Sequence, residues 1–341
     1  ETIVAVAEKP IIQQDLTSSM AKVSSDQLAI LPVEDAQTVV NLQAGVVEGH
    51  FRGGRQNEVK YLIDGISVND AFSGDFAMQA EVNAIQEIQV LSGTFNAEYG
   101  EALSGVVNQV TKAPGENYTG EVSLYSGDYV STHDDVFDNI GHVSPRDLYN
   151  VQGTLSGPVP GTSGILKFLM SGKYINDDGY IYGRRMFKPD DYSNFSANDP
   201  DDWIVNATGD NEYVPMNYSR RASLQGKLYV KVGNAKWLVL QGMYQDRDYR
   251  DYDHNYKLNP DGDYSRFQTG FLGTASYTHV FSPSTFMDIK ASSFTTESQR
   301  YVYEDPLDPR YVPQDFKRFV GANAFLTAGT ENWHFRHKTR T

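Results

Sequence analysis

The segment YNVQGTLS, residues 149–156, decides the fold class of the larger part of the chain. In an extended strand, Tyr149, Val151 and Leu155 share one face because successive side chains point to opposite sides. The other face carries the polar residues Asn150, Gln152, Thr154 and Ser156. The same period of two recurs along the second half of the chain. We therefore predict eight strands, at about 118–128, 148–157, 164–176, 218–232, 235–246, 266–281, 285–298 and 318–329.

The connections between these strands alternate between short and long. The short ones span residues 158–163, 233–234 and 282–284, and the long ones about 129–147, 177–217, 247–265 and 299–317. An outer-membrane β-barrel has this pattern, because its periplasmic turns are short and its extracellular loops are long. Lipid offers the backbone no hydrogen bonds, so such strands pair around a closed ring. A soluble sandwich is not expected to alternate so strictly.

Composition excludes several classes of function. The chain of 341 residues has 29 Lys plus Arg against 44 Asp plus Glu, a net charge of −15 that disfavours nucleic acid. The absence of cysteine removes disulfides and thiolate ligands. No run of about 18 apolar residues predicts a transmembrane helix. The start, ETIVAVAEKP, has no signal-peptide pattern, and the end, ENWHFRHKTRT, reads as a chain cut within an element, so we expect a fragment.

Residues 31–117 form a predicted α/β block that differs from the alternating part. Helical spacing over Val33–Leu42 ends before Gly45, and Asp64-Gly65 marks a hairpin within residues 59–68. Further strands begin at Ile85 and near Val106. Residues 1–30 combine a short apolar piece with a polar linker. The predicted domains are therefore 1–30, 31–117 and 118–341.

Two stretches of this block resemble the plug domain of TonB-dependent outer-membrane transporters. They are GHFRGGRQNEVKYLIDGISVND, residues 49–70, and IQEIQVLSGTFNAEYGEALSGVVNQVTK, residues 85–112. The subgroup with a carboxypeptidase-regulatory-like domain ahead of the plug is the most similar. The resemblance implies a 22-stranded antiparallel transmembrane β-barrel, of which about eight strands are present, with the α/β plug in its lumen.

Within the two stretches, the residues that match the family pattern are Arg52, Gly53, Gly54, Arg55, Asp64, Gly65, Glu87, Gly93, Glu98, Tyr99, Gly100, Gly105 and Asn108. Glycine allows tight turns and close approach of backbones. In the family, plug arginines pair with acidic groups on the barrel wall. An internal pair with Glu81, Glu87 or Glu98 is the alternative for Arg52 and Arg55. Ser92 departs from the family, which often has arginine there.

The first seven residues, ETIVAVA, resemble the TonB box. The resemblance implies that an extended segment adds a strand to the periplasmic domain of TonB, with main-chain hydrogen bonds supplying most of the affinity. The residues that would form this strand are Thr2, Ile3, Val4, Ala5 and Val6. A terminal strand left from an upstream domain is the alternative.

No catalytic or cofactor motif is present, so the sequence predicts neither an enzyme nor a cofactor. Nothing marks a nucleophile elbow, a phosphate-binding loop or a dinucleotide fingerprint. His334 and His337 fall on opposite faces of a strand, which disfavours a metal pair. Asp261-Gly262-Asp263 lacks the further ligands of a calcium loop and reads as a solvated acidic turn.

The family resemblance predicts TonB-dependent active transport of a scarce solute across the cell outer membrane of a Gram-negative bacterium. Its expected partners are TonB, outer-membrane lipid and a solute that the sequence does not identify. A surface lipoprotein over the barrel mouth is compatible with this reading, although no residue points to one. The alternative is a soluble secreted β-rich module that binds or cleaves carbohydrate.

Overall fold

The computed structural model describes residues 19–31, 33–70, 74, 76–93, 100, 102–282, 284–312 and 325–341. The chain divides into two compact units, Glu1–Lys112 and Ala113–Thr341. Among the described residues, no helix is long and apolar enough to cross a bilayer.

The first unit combines short strands with two short helices. Its elements are β1 (Ser19–Ser24), α1 (Ser25–Ile30), α2 (Ala36–Asn41), β2 (Val46–Val47), β3 (His50–Phe51), β4 (Val59–Ile63), β5 (Ile66–Ser67), β6 (Ile85–Ser92) and β7 (Gly105–Thr111). Two 3-10 turns, Gln56–Glu58 and Val82–Ala84, precede β4 and β6.

A five-stranded sheet in the order β1-β6-β7-β4-β5 organises this unit. Neighbours pair antiparallel except β4 and β7, which run parallel. Buried aliphatic side chains of β6 and β7 supply much of the core, and they include Ile85, Ile88, Val90, Val106 and Val107. This apolar content explains why both segments were recognisable as strands.

The predicted helix and hairpin of the first unit are confirmed. The helix α2 lies within the predicted span 33–42, and the Asp35 carboxylate caps it by accepting a hydrogen bond from the Thr38 N–H at 2.7 Å. β4 and β5 form the predicted hairpin around Asp64-Gly65.

Residues 19–30 correct the predicted linker. They form β1, which pairs with β6 from Ser19↔Ser92 to Ser24↔Glu87, and the helix α1. Val23 and Leu28 are buried. β1 is an edge strand with few apolar residues, so its sequence resembles a polar linker. Its backbone nevertheless pairs with β6 over residues 19–24.

The second unit is dominated by long antiparallel strands. Its elements are β8 (Thr119–Gly127), β9 (Leu148–Pro158), β10 (Leu166–Asp177), β11 (Tyr182–Arg184), β12 (Ser193–Asn194), β13 (Ile204–Val205), β14 (Tyr213–Pro215), β15 (Ser219–Gly233), β16 (Lys236–Tyr249), β17 (Ser265–Ser282), β18 (Thr285–Tyr301) and β19 (Phe335–Arg340). Three 3-10 turns, Pro200–Asp202, His254–Tyr256 and Pro260–Gly262, lie in the long connections. β8, β9, β10, β15, β16, β17, β18 and β19 follow one another in a single eight-stranded sheet. The predicted alternation of short and long connections is confirmed.

The two faces of this sheet differ in chemistry. One of them, termed the apolar face, exposes Val122, Leu124, Val151, Leu155, Met170, Leu224, Leu240, Phe271 and Ile289. Residues paired directly across antiparallel strands share a face, and the registers link Leu224 to Tyr244 and Tyr244 to Phe271. The opposite face carries polar side chains, including Gln152, Ser171, Lys173, Gln225 and Thr296.

The eighth strand lies elsewhere than predicted. Residues 318–324 of the predicted strand lie outside the described residues, and residues 325–329 are not a strand. The eighth strand of the sheet is β19 instead. Leu326 packs against Met216 and Tyr256 in a small core formed by the long connections. The apolar pattern of this segment therefore serves packing between loops, which strand periodicity did not anticipate.

Candidate functional site: the glycine-rich motifs of the first unit

The Asp64-Gly65 turn fastens the β4–β5 hairpin to the end of β7. Both residues have positive φ, 49° and 80°, as a type I′ turn requires. The Asp64 carboxylate accepts hydrogen bonds from the backbone N–H of Thr111 at 2.9 Å and from its hydroxyl. The Asp64 N–H donates to the Gln109 carbonyl at 3.0 Å. The Asp64 side chain therefore holds the hairpin against the end of β7, in addition to its place in the turn.

A polar chain crosses the same sheet through Asn108. Its Oδ1 accepts from the Gly65 N–H at 3.1 Å, and its Nδ2 donates to Gln89 Oε1 at 3.2 Å. Gln89 in turn donates to the Glu87 carboxylate. The structure thus brings Gly65, Glu87 and Asn108 together, and it uses Glu87 as an acceptor for an amide.

The Arg52–Arg55 segment forms a tight loop. Arg52 and Gly53 have φ of 48° and 81°. The Arg55 N–H donates to Glu58 Oε2 at 3.1 Å, and the Glu58 carbonyl accepts from the Leu103 and Ser104 N–H groups at 3.0 and 3.2 Å. These bonds tie the loop to the segment that enters β7.

Three motif glycines lie where another residue approaches closely. A Cβ at Gly105 would lie 2.4 Å from Cδ1 of the buried Phe51 ring. A Cβ at Gly54 would lie 2.5 Å from Cβ of Ser104, and one at Gly93 would lie 2.8 Å from Nη1 of Arg52. The guanidinium of Arg52 therefore lies against the Gly93 backbone.

Gly100 differs from these glycines. A Cβ there would meet nothing within 4 Å, and the Gly100 carbonyl accepts a hydrogen bond from Lys60 Nζ at 2.9 Å. Glu98 and Tyr99, like Thr2–Val6 near the chain start, lie outside the described residues.

Neither Arg52 nor Arg55 forms an ion pair with any residue that the structure describes. Glu87, one of the internal partners considered from the sequence, binds Gln89 instead. Ser92, at the position where the family often has arginine, is buried at the end of β6.

The sequence did not indicate a cavity of about 440 Å³ in this unit. Its lining residues are Gln37, Asn41, Glu48, Gly49, Gln56, Tyr61 and Phe76. Gln37 Nε2 donates to the Tyr61 hydroxyl at 3.3 Å, and the Tyr61 and Phe76 ring centroids lie 4.6 Å apart. Amide groups beside aromatic rings suit a partly polar small molecule. In the sequence, Gln37 and Asn41 stand out only as members of the predicted helix, and nothing there indicates that they line a cavity.

In the second unit, the long connections are bonded to one another. We call residues 128–147, 178–218, 250–264 and 325–334 the loop cluster. Arg185 Nε donates to Asp261 Oδ2 at 2.7 Å, and its Nη1 donates to Asp210 Oδ2 at 2.9 Å. Lys257 Nζ pairs with Asp138 Oδ2 at 2.8 Å. Acidic side chains of these loops therefore hold separate connections together.

Asp263 corrects the prediction of a solvated acidic turn. Its side chain is buried, and one carboxylate oxygen accepts a hydrogen bond from the Tyr264 N–H at 2.8 Å. Burial raises the pKa of Asp263 to about 7, because the charged form loses water. Across the described residues, no group of three or more acidic or histidine side chains is arranged to hold a metal ion.

Comparison with known proteins extends these observations. The family model for the TonB-dependent receptor plug domain matches residues 12–107. The chain is 30% identical over 119 residues to the vitamin B12 transporter BtuB of Vibrio vulnificus, a match that covers 34% of this chain and 19% of that transporter. It is 29% identical over 72 residues to the TonB-dependent transporter Oar of Myxococcus xanthus, over 21% of this chain and 7% of that protein.

Solved receptors share the fold. The siderophore receptor PirA from Acinetobacter baumannii matches 94% of this chain with a TM-score of 0.59 and 16% identity, over 43% of its own length. The ferripyoverdine receptor of the outer membrane of Pseudomonas aeruginosa matches 83% of this chain with a TM-score of 0.58 and 15% identity, over 34% of its own length. The chain therefore spans less than half the length of these receptors.

The predicted fold class, an α/β plug domain followed by strands of a β-barrel, is confirmed by these likenesses and by the eight-stranded sheet. The number of strands in a closed barrel and the subgroup stay predictions. Residues 12–107 thus match the plug domain of TonB-dependent receptors, and the chain is similar over part of its length to two TonB-dependent transporters.

Proposed function

We propose that this chain belongs to an outer-membrane transporter that takes up a scarce solute and is energised by a periplasmic TonB partner. The observation that carries the proposal is the apolar face of the eight-stranded sheet, which occurs in the same chain as a plug-domain match. The relatives with assigned roles are transporters or receptors, which supports a protein that moves its solute without covalent chemistry.

The apolar face supports a lipid environment. Val122 is 76% exposed and Ile289 is 55% exposed, although water disfavours contiguous apolar surfaces of this size. A soluble sandwich would bury such residues between two sheets. The strands pair with their neighbours along their lengths, as a sheet in hydrocarbon must. The carbohydrate-binding alternative has no comparable observation in its favour.

The plug motifs supply rigidity in this proposal. The Asp64 carboxylate fastens a hairpin to β7, and Glu58 connects the arginine loop to the same strand. We propose that the remaining motif residues serve this packing, and that the cavity beside Tyr61 and Phe76 contacts solute. BtuB carries vitamin B12 and PirA binds siderophores, so solutes of either class are the first to test.

In this proposal, TonB would bind and pull on residues 2–6. These residues, TIVAV, are β-branched except for Ala5, and this composition suits an extended strand that pairs with the sheet of a TonB domain. Such pairing needs backbone N–H groups, which proline lacks.

The test compares Val4→Pro with Val4→Ala in the full chain. We expect Val4→Pro to abolish binding of a purified periplasmic TonB domain in detergent, measured by calorimetry, whereas Val4→Ala keeps most of it. Equal binding by both variants would contradict the energised mechanism.

A separate measurement tests the membrane location. The chain should require detergent for extraction, and it should migrate differently on a gel before and after boiling. A chain that stays in buffer without detergent and shows one mobility would rule out the barrel.

A further inference from the structure

The polar rim of the apolar face can be located from strand register. Lys338 pairs with Glu297, Glu297 with Thr269, and Thr269 with Asp246, so these four residues form one row across four strands. Thr269 Oγ1 donates to Asp246 Oδ1 at 2.7 Å. The row is therefore polar on these four strands.

The next row toward the short turns is polar on β19 and β18 and aromatic on β17 and β16. Arg340 pairs with Thr295, Thr295 with Phe271, and Phe271 with Tyr244. Phe271 and Tyr244 are exposed on the apolar face. On β16 and β17 the boundary between apolar and polar surface thus passes between these two rows.

The height of this boundary fits a membrane. Met287 begins the face near the short turn of β18, and Glu297 lies about 34 Å along the strand at ~3.4 Å per residue. A strand tilted by about 40° rises ~25 Å over that distance, which is the height of the apolar band of outer-membrane barrels. The upper row therefore lies where lipid headgroups begin.

Three cations of β19 lie on this face, Lys338 in the polar row, Arg336 one row beyond it and Arg340 one row nearer the short turns. Arg336, Lys338 and Arg340 alternate along the strand, so they share the face of Glu297. The side chains of Arg336 and Lys338 are each 63% exposed. Long basic side chains at this height reach toward headgroups while their stems stay on apolar surface.

One carboxylate binds two of these three cations. Glu297 Oε1 accepts from Arg336 Nε at 2.7 Å, and its Oε2 accepts from Lys338 Nζ at 2.9 Å. Arg340 Nε donates to Ser293 Oγ at 3.3 Å. Among the residues that the structure describes, Glu297 is the carboxylate that contacts this group. An excess of two positive charges therefore remains here, in a chain whose net charge is −15.

We propose that Arg336, Lys338 and Arg340 form a binding site for the phosphate of an anionic lipid headgroup in the leaflet on the long-loop side. Guanidinium and ammonium groups bind phosphate through short charge-assisted hydrogen bonds, and basic clusters at membrane interfaces recognise anionic lipid. Glu297 holds the first two cations in fixed positions on the strand. The inference rests on the proposed outer-membrane location.

The experiment measures bound lipid by native mass spectrometry of the full chain in detergent with added diphosphoryl lipid A. Arg336→Gln combined with Lys338→Gln should weaken binding about tenfold or more. The matched control is Arg184→Gln combined with Lys188→Gln, which removes the same charge from exposed loop positions. The control should bind as the unaltered chain does. Equal binding by both double variants would overturn the site.

Two further measurements keep the outcomes distinct. Binding by the unaltered chain should fall as salt rises, and binding that ignores salt would overturn the proposal without any variant. Inorganic phosphate that displaces lipid A at equal concentration would show a general anion site and would also overturn it. Heat-modifiable migration of each variant reports folding in the membrane. If the unaltered chain shows no heat-modifiable migration, the proposed function is contradicted. If the Arg336/Lys338 double variant migrates as the unaltered chain does and binds lipid A equally well, only this inference is contradicted.

Discussion

Replacing Gly105 with alanine should strongly destabilise the first unit. The new Cβ would lie 2.4, 2.8 and 2.9 Å from three atoms of the Phe51 ring, and this ring is fully buried. Gly105 is paired with Val59 on one side and with Ser92 on the other, so the strand cannot move away. Overpacking of this kind costs about 3 kcal/mol of unfolding free energy.

Two other glycines of the same motifs provide graded controls. Gly53 has a φ of 81° with nothing within 4 Å of its Cβ, so Gly53→Ala should cost about 1 kcal/mol from left-handed backbone strain alone. Gly100 has neither a neighbour within 4 Å nor a left-handed φ. Gly100→Ala should therefore leave the free energy of unfolding unchanged or raise it by less than about 1 kcal/mol.

Hydrogen exchange of the full chain in detergent checks the series. The loss of protection in peptides covering β6 and β7 should be largest in Gly105→Ala, smaller in Gly53→Ala and smallest in Gly100→Ala. Protection of the second unit should not change. Adding Phe51→Leu to Gly105→Ala should restore part of the loss, because a smaller side chain vacates the position of the new Cβ. Equal protection in Gly105→Ala and Gly100→Ala would refute the packing argument.

Three further outcomes are expected. Asp64→Ala removes two hydrogen bonds with Thr111, so the free energy of opening at the end of β7 should fall by about 2 kcal/mol and the amides there should exchange faster. Unchanged exchange there would contradict the structural role of the Asp64 carboxylate. Arg185→Lys loses the forked contact with Asp261 and should loosen the loop cluster by about 1 kcal/mol, measured as faster limited proteolysis between residues 185 and 212, whereas an unchanged cleavage rate would argue against it. Between pH 4 and 7 the folded chain keeps a proton on Asp263 that the unfolded chain has lost, so the loop cluster should lose up to about 4 kcal/mol of stability as pH rises through this window and no more above it. Exchange of the loop amides measures this dependence, and Asp263→Asn should remove it; an equal slope in the variant would refute the assignment.

Periodicity predicted the elements that a face of side chains defines. Seven of the strands in the large sheet were predicted from alternation, because they have one apolar and one polar side over many residues, although residues 237–240 of β16 are apolar on both faces. The hairpin at Asp64-Gly65 follows from the backbone preference of those two residues. These features depend on local sequence, which is why the sequence is sufficient for them.

Features that depend on distant partners were missed. The polar segment 19–24 forms a strand because β6 supplies its hydrogen-bond partners. The apolar Leu326 packs against Met216 and Tyr256 and not on the face of a sheet. Asp263 looks like a residue of a solvated turn, yet the surrounding loops bury it. The bonds from Asp64 to Thr111 join residues that no short motif connects.

The position of β1 gives the first unit a mechanical order of detachment. Within the described part of the chain, β1 is hydrogen-bonded on one side only, through the pairs from Ser19↔Ser92 to Ser24↔Glu87, while β6 and β7 each lie between two strands. Tension on the chain ahead of Ser19 would reach this edge before any interior strand. The unit would then yield by peeling from its margin, and the hairpin held by Asp64 would be among the last parts to let go.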